Sequence, residues 1–92
     1  MEGLWELALR VVLRIEGMVH RGEASWASLP AAEQQEMEQA VAMLTEAAAQ
    51  GHAGAQFELA LSYHEGRGVA RDVDHAIQLY TQAAQQLSLI HI

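Results

Sequence analysis

Two stretches of this chain repeat one another 36 residues apart. Ala40-Val41-Ala42-Met43-Leu44-Thr45-Glu46-Ala47-Ala48-Ala49-Gln50 aligns with Ala76-Ile77-Gln78-Leu79-Tyr80-Thr81-Gln82-Ala83-Ala84-Gln85-Gln86 at that constant offset. Ala40 meets Ala76, Val41 meets Ile77, Thr45 meets Thr81, and Ala47-Ala48 meets Ala83-Ala84. A fixed period between about 20 and 50 residues marks arrays of small supersecondary units, each too thin to bury its apolar face alone. The period therefore limits the fold before any other property does. It predicts an all-α chain, an α-α superhelix (solenoid) of about two helix–turn–helix repeats with four helices.

Ninety-two residues make one small domain, and half of them are apolar. Much of that half is alanine, so the expected core is shallow. The formal charge of −7 arises from twelve acids against five arginines, with no lysine. A basic stripe is missing, which excludes a phosphate-backbone footprint and disfavours an anionic membrane surface. Without cysteine there is no disulfide framework, thiolate zinc site or thiol nucleophile. Met1-Glu2-Gly3 is an acidic start, and Glu6, Arg10 and Arg14 interrupt the apolar run behind it, unlike a secretory signal. No run reaches the roughly 18 apolar residues that cross a bilayer. The chain is expected to be soluble, with no membrane insertion, and cytoplasmic by default.

In chain order, Leu4, Leu7, Ala8, Val11, Val12, Ile15, Met18 and Val19 follow helical spacing and predict a helix over about 4–20, with Gly22 beyond its end. Trp26 in the following loop reads as an anchor onto the helices. Ser28-Leu29-Pro30 opens a second helix, about 30–50, with Ser28 as N-cap and Met37, Ala40, Val41, Leu44 and Ala48 as the buried stripe. The third helix, about 53–65, is expected to bury Ala55, Leu59, Ala60 and Tyr63 and to end at Gly66. Asp72 caps the fourth, about 73–86, whose inner face is read as Val73, Ala76, Ile77, Tyr80 and Ala84. Short connections make sequence neighbours pack antiparallel.

Ala55-x-x-x-Leu59-Ala60-x-x-Tyr63-x-x-Gly66-x-Gly68-Val69-x-x-Asp72-x-x-x-Ala76-x-x-x-Tyr80-x-x-Ala83-Ala84 closely resembles the Sel-1-like repeat, a relative of the tetratricopeptide repeat. The resemblance implies a complete repeat over 52–86 and a degenerate first repeat over 1–51. In that family a glycine usually follows the paired alanines after two residues, as Gly51 does here; the period puts its counterpart at position 87, which is Leu. From that position Leu-Ser-Leu-Ile-His-Ile is similar to one reading frame of a transposon-end adapter, so 87–92 is expected to be a non-native tail and the natural protein longer. The alternative is an apolar tail docked on the fourth helix.

None of the chemistry-bearing residues forms a constellation. His20, His52, His64, His75 and His91 include no i, i+4 pair, so no metal site is expected. Gly66-Arg67-Gly68 follows a helix and lacks the lysine of a phosphate loop. Asp72 and Asp74 are accounted for as cap and first-turn residues, and no spacing suggests a Ser-His-Asp triad. Neither catalytic nor cofactor-binding residues are expected. Solenoids bind partners along surfaces lined by the first helix of each unit. Similarity to related repeats implies that Phe57, Leu61 and His64 lie on the side of the third helix not used by Ala55, Leu59, Ala60 and Tyr63 and bind the partner, with internal packing as the competing role of Phe57 and Leu61. The resemblance implies a scaffold or adaptor module that binds other proteins or peptides and has no catalytic activity. The alternatives are an enzyme of the cysteine-rich repeat β-lactamase type, against which the lack of cysteine argues, and a homo-oligomer formed through exposed terminal helix faces. With about two repeats the chain is expected to be marginally stable or oligomeric.

Overall fold

The computed structural model describes residues 3–90. Four helices follow one another: α1 (Leu4–His20), α2 (Ala31–Ala49), α3 (Ala53–Glu65) and α4 (Val73–Ile90). Each packs chiefly on its neighbours in sequence, α1 on α2, α2 on α3 and α3 on α4. The thinnest dimension is 21 Å, about two helix diameters. The chain is thus a two-layer array of hairpins, as its period requires.

The helix ends carry the local logic. The Glu6 carboxylate accepts from the Gly3 N–H at 3.0 Å and so ties down the start of α1. Asp72 Oδ1 accepts from the His75 N–H at 3.1 Å, the expected N-cap of α4. Gly66 ends α3 in the left-handed region at φ 69°, and Arg67 N–H then reaches back to the Ser62 carbonyl at 2.8 Å. The start of α2 differs from expectation. Ser28 is not its cap: it pairs with Ser25 across the loop, and Pro30, at φ −55° and ψ 154°, occupies the N-cap position without a side-chain hydrogen bond. Proline disfavours the helical conformation in the residue before it, so the helix begins just after Pro30. The cap of α3 is a histidine: His52 Nδ1 accepts from Ala55 N–H at 3.0 Å while its ring lies 4.7 Å from that of Trp5.

The core runs through all four helices: Ala8, Val12 and Ile15 from α1, Met37, Ala40, Val41, Leu44, Ala47 and Ala48 from α2, Ala55, Leu59 and Ala60 from α3, Ala76 and Leu79 from α4. Half of these are alanine, which lets helix axes approach closely but limits the apolar area each residue removes from water. Gln56 is buried among them; its Nε2 donates to the Ala48 carbonyl at 3.2 Å, tying α3 to the end of α2.

Three further sequence expectations need correction. In α4, Ala76, Leu79 and Ala83 are buried, whereas Val73, Ile77 and Ala84 are exposed. The helix carries two apolar stripes, and the sequence reading merged them. Tyr63 of α3 is half-buried rather than buried; its ring stacks on His75 at 4.1 Å. Finally α4 continues to Ile90 instead of stopping at 86, because Leu87 supports a helix where the equivalent Gly51 (φ 91°) ends one. Residues 91–92 of the expected tail lie outside the described residues.

Candidate partner-binding face

The outward side of α3–α4 is built by the second of those stripes. On α4, Val73, Ile77, Tyr80, Ala84 and Leu87 succeed one another at helical spacing. On α3, Phe57, Leu61 and His64 do the same. Tyr80 joins the two sets: Phe57 meets its ring edge-on at 5.4 Å, and the His64 ring stands 6.5 Å away. Phe57 is 48% exposed, Ile77 56% and Leu87 51%, while Leu61 and Tyr80 are half-buried. Large side chains left this open along one continuous strip exceed what scattered surface apolar residues explain. Burial, followed by the Glu65 carboxylate, raises the Tyr80 phenol above its ordinary value of 10; Arg67 opposes and Glu58 adds. The hydroxyl therefore stays protonated, a donor at the margin of the strip.

Comparing α2 with α4 at the 36-residue offset shows what the strip is. Ala40 and Ala47 are buried, and so are their counterparts Ala76 and Ala83; these pack inside each hairpin. Met37, Val41 and Ala48 are also buried, at 0%, 5% and 8% exposure. Their counterparts Val73, Ile77 and Ala84 are exposed, and half-buried Tyr80 stands where α2 has buried Leu44. What separates the two helices is α3, which packs on α2 and has no equivalent on α4 among the described residues. The strip is the second copy of a helix-receiving surface.

A different cluster locks the array together, and the sequence did not disclose it. Arg67, between the two turn glycines, is only 8% exposed. Its guanidinium lies 4.4 Å above the Trp26 ring, donates to Glu65 through Nε at 2.9 Å and meets Glu16 of α1 through Nη1 at 3.2 Å. Trp26 is thus the loop anchor expected, held by an arginine 41 residues later in the chain. Glu58 sits in the same field. Burial raises its carboxyl above the ordinary 4.5, Arg67 pulls it down and Glu16 pushes it up. An acid whose folded-state value is raised costs nothing when protonated in both states and loses stability as pH rises through the folded value. Glu58→Gln should therefore melt slightly higher than the parent at pH 7, and the gap should close as the pH falls below 4.5; thermal melts at both pH values check this.

Among the described residues no three His, Asp or Glu side chains stand close enough to hold a metal. An open cleft of about 510 Å³ lies between the α1–α2 loop and the α3–α4 turn, lined in part by Trp26, Ser28, Leu29, Glu38, Gly68 and Val69. Ser28 has neither a histidine nor a second carboxylate beside Glu38 in that lining. No helix among the described residues is long and apolar enough to cross a membrane. In comparisons with known proteins, the family model described as Sel1 repeat matches residues 30–52 and 53–86, well over half of the chain. The first match covers α2 and leaves α1 outside. No curated protein and no solved structure matches.

Proposed function

The chain belongs to the Sel1 repeat family, whose helical repeats typically mediate contacts between proteins, and from that premise we propose that it is a scaffolding module that recognises helical segments of other proteins through Phe57, Leu61, His64, Ile77 and Tyr80. The observation that carries this is the exposure of Val73, Ile77 and Ala84 where Met37, Val41 and Ala48 are buried on α2, a helix with α3 packed on it. A surface whose twin takes a helix has the shape and polarity for one. Recognition would follow the helix-in-groove mode, with anchors on the incoming helix at i, i+4 and i+7. Phe57 and Tyr80 supply large rigid rings, Ile77 the branched apolar floor, and His64 a polar margin. The module works by binding rather than catalysis. Supporting that are the absence of cysteine, which the β-lactamase-type alternative would use, and a cleft lining without a nucleophile–base pair.

A displayed library of amphipathic helical peptides, selected on the immobilised chain, tests the assignment. Selected peptides should bind the parent and bind Phe57→Glu and Ile77→Glu at least about 30-fold more weakly, the loss expected at a buried anchor. Leu13→Glu, on α1, should bind like the parent. Peptides indifferent to both substitutions on the face would remove the basis for the reading.

A further inference from the structure

We propose that His52 is a pH-sensitive latch, which joins α1 to the start of α3 while its imidazole is neutral and lets go when the ring takes up a proton. The ring makes two contacts at once. Its Nδ1 accepts from the Ala55 N–H at 3.0 Å and so caps α3, and its centre lies 4.7 Å from that of the Trp5 ring on α1. Gly54 makes room for both rings: a Cβ there would stand 2.9 Å from His52 Cε1 and 3.1 Å from Trp5 Cζ2. Indole and imidazole therefore press on the bare backbone of the first turn of α3. Through them α1 reaches α3, although it packs chiefly on α2.

An imidazole accepts at Nδ1 only while that nitrogen is bare; the protonated ring donates from both nitrogens. Protonation would set an N–H against the Ala55 N–H, beside the positive end of α3. The ring must then turn away, and the Trp5 contact goes with it. Among the described residues few charges face the ring. In the cavity of about 210 Å³ beside it, Glu6 of α1 is the one carboxylate, Ala47 and Gln50 of α2 are neutral, and the first turn of α3 holds no acid. Glu6 and the Trp5 face attract an imidazolium and oppose the release. Glu6 is exposed to solvent screening and already accepts from the Gly3 N–H, whereas the clash of donors at Ala55 is a direct contact, so the cap decides the balance. The unfolded chain has no cap to lose and takes the proton more readily. The stabilisation is therefore complete above the imidazole range and is lost as the pH falls through it.

Urea unfolding of the full chain and of His52→Asn, at about pH 7.5 and about pH 5.5, reads the result. Asparagine keeps an acceptor at the N-cap but does not titrate. His20, His64, His75 and His91 are common to both chains and cancel in the comparison. On acidification the folding equilibrium constant of the parent should fall about five- to tenfold further than that of His52→Asn, the loss expected for a cap. Over the same range the Ala55 amide proton of the parent should move upfield as its hydrogen bond breaks. Nuclear Overhauser contacts between the Trp5 indole and the Gly54 α protons should weaken with it. Parallel responses of the two chains to pH overturn the proposal, as does an indole that stays on Gly54 in acid. So does a parent that gains on His52→Asn in acid, which would mean that Glu6 and Trp5 keep the imidazolium in place. Should His52→Asn fail to fold, the parent alone decides, since an unmoved Ala55 amide rejects the latch. His52 and Trp5 take no part in the α3–α4 strip, so the partner-binding reading stands or falls separately.

Discussion

Gly68→Ala should destabilise the chain by about 3 kcal/mol or more, the sum of a left-handed backbone forced on a residue with a Cβ and a steric overlap. Gly68 sits at φ 74°. A Cβ there would stand 2.8 Å from the Met37 carbonyl oxygen, 2.9 Å from the carbonyl carbon and 3.0 Å from the Met37 Cβ. Met37 is fully buried on α2, so the atoms in the way belong to the buried side of a helix packed against both α1 and α3. The α3–α4 turn therefore rests directly on α2, and the glycine is what lets one repeat seat on the previous one. Gly22→Ala provides the control: its φ is 76°, but nothing lies within 4 Å of the added carbon. That substitution should cost about 1 kcal/mol, the backbone contribution alone. A chain of this length has about 5–14 kcal/mol in total, and its alanine-rich core favours the lower part of that range. Urea unfolding of the parent and both variants separates backbone strain from contact. Equal losses in the two variants would mean that the turn does not press on α2.

Arg67→Ala is the second large effect, expected at about 2–3 kcal/mol. The substitution removes the guanidinium from the Trp26 face and leaves Glu65 and Glu16 without their partner. The loss stays below that of a fully buried ion pair because both carboxylates are more than a third exposed and can be hydrated again. Arg67→Lys should recover less than half of the loss, since an ammonium cannot stack flat on an indole while reaching two carboxylates. A double-mutant cycle with Trp26→Leu isolates the stacking contribution. Coupling near zero would mean that the two carboxylates, and not the Trp26 face, account for the loss.

The number and order of the helices were legible, and so were most of their ends apart from the cap of α2 and the end of α4, because period and capping chemistry are local properties. Ala40 and Ala76 announce the repeat, and Asp72 announces α4 through its own hydrogen bond to His75. The orientation of α4 was not legible. Val73 and Ile77 carry the same letters of hydrophobicity as the core, and only the lack of a covering helix makes them exposed. The offset held the clue, since Val41 and Ile77 share a position but not a neighbour. Phe57, Leu61 and His64 are placed on one side of α3 by the resemblance to related repeats. That Tyr80 of the next helix draws two of them together depends on tertiary packing. Arg67 was hidden for the same reason: a charged residue between glycines reads as solvated, and its partners Trp26 and Glu16 are distant in sequence. His52 gave no sign of capping α3, because histidine is not among the residues favoured at an N-cap and Trp5 holds it from the distant α1.

Recognition through the outer α3–α4 strip, the second copy of the surface α2 offers to α3, fixes where a bound helix should be felt. Amide chemical-shift mapping of the isotope-labelled chain with a selected helical peptide tests it most directly. The largest changes should fall on Phe57, Leu61, His64, Val73, Ile77, Tyr80 and Ala84. Changes centred instead on Leu7 and Leu13 of α1, or on the cleft around Trp26 and Ser28, with Ile77 unmoved, would contradict it.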